Sequence, residues 1–183
     1  MTTTLIERAL LTTASQTIFP SSESAQGKTI RPFRFLIVGY TPYQHTENSI
    51  GPWVAKTIAT WQVPTVKSIA VPQLTPVLVN EITAADYVIF VAAHLQHNHC
   101  RTVRVTPLVA GQQNLSDLAS DTNSCNPYTL LNLAQHLYGN VPLTWLIQVP
   151  RETAAEKEAS RSKIAQYGDR ALQTIEQFLR TYL

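Results

Sequence analysis

Charge is scarce in this sequence. Only 14 % of its 183 residues are Asp, Glu, Lys or Arg, against about 25 % in ordinary soluble domains. A surface so poor in charge hints at a buried contact face, although Thr, Gln, Ser and Asn also keep a surface wet. The net charge is +2, with no basic cluster, which argues against a nucleic-acid partner. Cysteine is scarcer still. Cys100 and Cys125 form no CxxC and no dense framework, so they read as free thiols in a reducing, cytoplasmic compartment. No apolar run approaches the ~20 residues that span a bilayer, so no membrane association is expected. Glu7 and Arg8 interrupt the N-terminal apolar residues Leu5, Ile6, Ala9, Leu10 and Leu11, which makes a poor signal-peptide core. There is no Gly-x-Ser-x-Gly elbow, and neither cysteine sits where it would be activated. Gly39 is alone in its turn, with neither a dinucleotide fingerprint nor a Walker lysine.

What is present suits one domain with an appendage. Hydrophobic residues make up 44 %, and a chain of this length buries roughly 70 % of its extended surface without needing a staple. Residues 1–32, rich in Thr and Ser, read as a flexible arm, and residues 33–183 as the domain. The domain is organised around Phe35 to Gly51. Phe35 to Val38 is an unbroken apolar run, fit for a strand covered on both faces, within an expected strand from Phe33 to Val38. Gly39 is expected to end it. After a polar loop, Ile50, Trp53, Val54 and Ile58 recur at helical spacing over Ile50 to Trp61, with Asn48 or Ser49 as cap. Trp53, Trp61 and Trp145 all sit among apolar residues and read as core or interface anchors, core being the favoured reading.

Further strands are expected at Thr65 to Val71 and Tyr87 to Ala92, with an edge strand at Thr102 to Thr106 that turns Arg104 to water. Thr75 is expected to cap a short helix with Pro76 at its first position. Gly111 to Asn126 is a polar loop of about 16 residues, long for a compact domain. Pro127 starts a helix bearing Leu130, Leu131, Leu133, Ala134 and Leu137, and Gly139 stops it. Leu143 to Val149 is the last strand, closed by Pro150. Glu156 to Tyr182 reads as one long helix, weakened by about 1 kcal/mol at Gly168 but not broken. The order β-α-β-α-β-β-α-β-α implies an α/β three-layer sandwich: a mostly parallel twisted sheet of about five strands, one antiparallel edge strand, and helices on both faces. In such sheets ligands bind beyond the carboxyl ends of the strands.

Several segments, in this order, resemble the hydrogenase maturation proteases, the endopeptidases that trim the C-terminus of the nickel-iron hydrogenase large subunit. They are Val38-Gly39-Tyr40, Thr46-Glu47-Asn48-Ser49-Ile50-Gly51, Asp86 to Ala93, Asn126-Pro127-Tyr128 and Gln148-Val149-Pro150-Arg151-Glu152. The resemblance runs from about Phe35 to Leu183. It implies a metal held by an acid from the first loop, an aspartate at the end of the third strand and a histidine at the next helix. At the matching positions this sequence has Asn48 (or Glu47), Ala92 and Tyr128. Alanine has no donor atom, and a phenol ionises only near pH ~10, so it ligates a borderline divalent ion poorly.

The resemblance therefore implies a protease-like domain that has lost its metal and peptidase activity. It would keep a recognition cleft lined by Tyr40, Tyr43, His45, Glu47, His94 and Tyr128. No cofactor is expected, and the implied partner is a protein, a hydrogenase large subunit or a relative. Two alternatives stay open. One is an active metal-dependent endopeptidase that holds nickel or zinc with replacement ligands, the candidates being Glu47, His94, His97 and His99 with Cys100 beside them. A histidine-rich surface loop is the favoured account of those histidines, since their spacing matches no standard metal pattern. The other is a small-molecule-binding α/β protein, because fold alone does not fix function. His136 reads as structural or exposed.

Overall fold

The computed structural model describes residues 34–42, 50–95, 102–111, 125–151 and 160–183. Five strands and four helices lie among these residues, with a 3₁₀ turn (Pro76–Leu78) leading into the second helix. They run β1 (Phe35–Tyr40), α1 (Ile50–Ala59), β2 (Val66–Ala70), α2 (Val79–Thr83), β3 (Tyr87–Leu95), β4 (Arg104–Leu108), α3 (Pro127–Tyr138), β5 (Leu143–Arg151) and α4 (Ser160–Tyr182). This is the expected order. The sheet reads β2-β1-β3-β5-β4 across its width. All pairs are parallel except β4 with β5. The 1–32 arm, the Asn48/Ser49 cap and most of the Gly111 to Asn126 loop lie outside the described residues.

The apolar runs of the strands divide by parity into two cores. Phe35 and Ile37 of β1, Ile89 and Val91 of β3, and Ile147 and Val149 of β5 meet Val54 and Ile58 of α1 and Ala171, Ile175 and Leu179 of α4. The alternate residues, among them Leu36, Val38, Val88 and Phe90, meet Val79 and Ile82 of α2 and Leu130, Leu131 and Ala134 of α3. The chain leaves β1 toward β2 and returns past it to β3. Crossovers of one hand, taken in opposite directions, put α1 and α2 on opposite faces. That reversal makes the gap between β1 and β3 the switch point of the sheet.

Several expected boundaries move. β1 does not stop at Val38: Gly39 and Tyr40 continue the ladder opposite Val91 and Ala92. Gly39 is small for another reason. A Cβ there would lie 2.6 Å from the Gly51 carbonyl carbon and 2.7 Å from Ala55 Cβ, so it is a close-approach position under α1. β5 likewise runs through Pro150 to Arg151. β4 reaches only Gln148, so on that side Pro150 has no ladder bond to lose. The edge strand is Arg104–Leu108, two residues later than expected, with Arg104 exposed. Its Pro107 is tolerated at an edge.

Helix ends follow their caps. In α3 the Asn126 side chain accepts from Thr129 N at 2.8 Å, Pro127 occupies the first turn, and Gly139 takes φ 65° at the stop. Thr75 makes no side-chain cap, contrary to expectation. Leu137 is 63 % exposed, because the buried face of α3 is fixed by Leu130, Leu131 and Ala134. Trp53 is also not in the core: it is 44 % exposed, on the flank of α1 that meets α4 rather than the sheet. Trp61 and Trp145 pack against the α1/α4 core as partly buried residues.

Candidate functional site

The carboxyl ends of β1 and β3 form the floor of the candidate site. Tyr40, the last residue of β1, stands opposite Ala92, which stands opposite Gln148 on its other side. Tyr40 is 8 % exposed, Ala92 4 % and Tyr128 6 %, and all three belong to the α2/α3 core. The Tyr40 ring meets Phe90 edge-on, at 6.4 Å between centroids, a favourable aromatic geometry. Tyr128 reaches this cluster from the first turn of α3, which the Asn126 cap fixes. The structure thus brings together three of the residues singled out from sequence, in an apolar setting. His94 is exposed at the end of β3, opposite Pro150.

On the other face α1 descends onto the same strand ends. A Cβ on Gly51 would lie 2.5 Å from Tyr40 O and 3.0 Å from Tyr40 N, and would also collide with Val91 O. With no side chain at Gly51 or Gly39, the first turn of α1 rests on bare backbone at the switch point. Glycine at residue 51 was visible in the sequence, but its packing role depends on a contact with β3 that no local pattern encodes.

Cys125 precedes the α3 cap and is half-buried, without a disulfide. Desolvation raises its thiol pKa above the ordinary 9.0, so it is held as the unreactive thiol rather than the thiolate. Tyr43, His45, Glu47, Asn48, His97, His99 and Cys100 lie outside the described residues. Among the described residues no three His, Cys, Asp or Glu side chains gather closely enough to hold an ion. Neither Ala92 nor Tyr128 offers a ligand suited to a divalent metal near neutral pH, so that pair does not fit the metal site the resemblance implies.

A groove of about 620 Å³ lies elsewhere, lined by Trp61, Val63, Glu176, Leu179, Arg180 and Leu183. It sits at the amino ends of the strands, where Tyr87 and Trp145 meet Tyr182 and Phe178 at 5.1 and 5.0 Å. Those ring contacts also orient α4: its C-terminus is at the amino edge of the sheet and its N-terminus at the carboxyl edge.

No family model and no curated protein matches the chain by sequence. Its structure, however, is similar to several solved structures. The [NiFe] hydrogenase maturation protease HycI from Thermococcus kodakarensis KOD1 aligns with a TM-score of 0.55 at 17 % identity, over 80 % of this chain and 92 % of that one. The hydrogenase maturating endopeptidase HybD from E. coli gives 0.56 at 18 %, over 81 % and 93 %. An endopeptidase from E. coli solved in solution gives 0.57 at 17 %, over 81 % and 93 %. The chain has the fold of the [NiFe] hydrogenase maturation proteases, an α/β fold with one antiparallel edge strand. No helix among the described residues is long and apolar enough to cross a membrane.

Proposed function

We propose that this chain is a hydrogenase-maturation-protease-like recognition domain that binds a hydrogenase-type large subunit, or a relative of it, without cleaving it. One observation carries the reading. The positions matched to two of the metal ligands, Ala92 and Tyr128, are filled by a methyl group and a phenol inside an apolar cluster with Tyr40 and Phe90. An ion there would lose its hydration shell and gain no anionic or imidazole donor from either of these two positions. The similarity of the fold to endopeptidases of hydrogenase maturation supports a polypeptide as the partner. The recognition residues would be Tyr40, Tyr43, His45, Glu47, His94 and Tyr128.

A second reading is a metal-dependent endopeptidase with replacement ligands. His94 favours it, standing exposed two residues beyond Ala92. Calorimetric titration with nickel and with zinc separates the two. The recognition reading expects no site of unit stoichiometry, and no cleavage when a large-subunit precursor is incubated with the protein and weighed by mass spectrometry. One bound ion per chain, lost in His94→Ala or Glu47→Ala, together with a shortened precursor, replaces it with the protease reading.

A further inference from the structure

The α1/α4 face of the sheet is left uncovered on its β4 side. α4 reaches β5, with the Phe178 and Tyr182 rings 5.0 and 5.8 Å from that of Trp145. Among the described residues no helix continues that cover over β4. Side chains alternate along a strand. Leu108 of β4 points into the α2/α3 core, so Val105, Pro107 and Val109 point to the α1/α4 side. Val105 stands opposite Ile147 and Pro107 opposite Trp145, while Val109 and Leu143 lie just past the pair Leu108 and Thr144. Pro107 is exposed, as are Val105 at 37 %, Val109 at 54 %, Leu143 at 61 % and the adjoining Tyr182 at 36 %. Exposed apolar residues scattered singly are ordinary. Here they adjoin one another in register on one sheet face, and a contiguous apolar patch marks an interaction surface. The patch also carries no charge. Arg104, the one charged residue of β4, alternates to the other face. Glu176 and Arg180 of α4 line the groove with Trp61, on the opposite flank of the helix. Beside Phe178, helical spacing sets Thr174 and Thr181. Their hydroxyls donate to Arg170 O and Gln177 O within the helix, each at 2.8 Å.

We infer that this β4/β5 face is the contact between two copies of this chain related by a two-fold axis. Two properties of the face select a second copy as its occupant. The first is charge. In a two-fold contact every group near the axis meets its own duplicate, so a charged residue there would repel itself. This face has none. The second is shape. The open strand and the flank of α4 form a step, with the sheet as its floor and the helix as its wall. Packed sheets lie ~10 Å apart, about the thickness of one helix. A second sheet laid on the floor is therefore level with α4, and the two-fold sets each α4 against the β4 edge of the other copy. A stable contact of this kind covers about 800 Å² on each partner. The exposed valines, Leu143 and Pro107 form its apolar centre, and the threonine flank of α4 forms part of its uncharged rim. Pro107 also keeps the contact face to face, since it interrupts the amide row that edge-to-edge strand pairing needs. The inference does not depend on the recognition reading, and the two stand or fall separately.

The test is sedimentation of the full chain over a range of concentrations. The parent should have the mass of two chains at about 100 μM and dissociate on dilution. Leu143→Lys is expected to weaken the dimer at least about 100-fold, because the two-fold buries the new charge twice. Val105→Thr keeps the branched shape and should weaken it about ten-fold, one methyl group being lost from each copy. Leu137→Lys, at an exposed apolar residue on α3, should dimerise as the parent does. Circular dichroism of the dilute variants reports whether each still folds, and should Leu143→Lys not fold, Val105→Thr decides. A parent that stays monomeric at about 100 μM overturns the inference. So does a dimer that survives unchanged in the folded β4/β5 variants, or one that is lost in Leu137→Lys, since the contact would then lie on another face.

Discussion

Replacing Gly168 by alanine sets two effects of opposite sign against each other, and the structure decides between them. In an isolated helix the change stabilises by about 1 kcal/mol, because alanine loses less backbone freedom on folding. In this protein the added Cβ would sit 2.5, 3.1 and 3.2 Å from Cζ3, Cε3 and Cη2 of Trp53. The indole lies on the surface and can turn away, so the cost is the contact it forfeits rather than a rigid clash. A fully buried tryptophan covers roughly 200 Å². Trp53 is 44 % exposed, so roughly 110 Å² is covered, about 3 kcal/mol at ~25 cal/mol per Å². Leaving α4 forfeits most of that, about 2 kcal/mol. The net expectation for Gly168→Ala is a loss of about 1 kcal/mol, or roughly 3 °C in melting temperature.

The sign should reverse once the indole is gone. In a Trp53→Ala background the three nearest contacts are gone, and the same substitution should stabilise by up to about 1 kcal/mol. Urea unfolding followed by circular dichroism, on the parent, both single variants and the double variant, measures that coupling. Stabilisation by Gly168→Ala in the presence of Trp53 would refute the argument, since it would mean that the ring does not depend on the glycine for its place.

The other expectations rest on equally local features. Gly51→Ala sets a methyl group against Tyr40 O and Val91 O. Those are backbone atoms that cannot swing away, so it should destabilise by about 3 kcal/mol in the same unfolding assay, well beyond Gly168→Ala. Asn126→Ala removes the acceptor for Thr129 N and should cost about 1 kcal/mol, visible as a melting point lowered by roughly 3 °C. Ala92→Asp places a carboxyl where the residue is 4 % exposed. It should cost about 3 kcal/mol at neutral pH and less near pH 4, because a buried carboxyl has a raised folded-state pKa and its stability contribution falls as pH rises. The Cys125 thiol, raised by desolvation, favours folding below the ordinary thiol pKa, and that contribution is lost as pH climbs through the folded value. At pH 8, therefore, labelling of Cys125 by a disulfide reagent, located by peptide mass, should be slower than that of a free thiol.

The element order was legible because its signals are local. Phe35 to Val38 and Tyr87 to Ala92 are too apolar for any place but the middle of a parallel sheet. Pro127 and Gly139 frame α3 by backbone conformation alone. Strand ends were less legible. Gly39, Tyr40, Pro150 and Arg151 remain in strands because neighbours extend alongside them, and a neighbour's length is not written in a strand's own residues. Helical periodicity placed Trp53 on an apolar face but could not tell a face on the sheet from a flank on another helix. Gly168 looked like a weakness in α4 and is instead the socket for that indole. For the site, the sequence named Ala92 and Tyr128, but their meeting in one core with Tyr40 requires the fold.

The two faces of the carboxyl edge therefore differ in physical character. On the α2/α3 face Tyr40, Ala92 and Tyr128 belong to the core, so a change that restored a polar group there would act first on stability. On the α1/α4 face the packing depends instead on glycines: Gly39 and Gly51 admit the first turn of α1, and Gly168 of α4 admits the Trp53 indole. Stability alone would put alanine at residue 168 only beside a smaller residue than tryptophan. On the face where the resemblance would put a metal, Ala92 and Tyr128 are buried in one core with Tyr40.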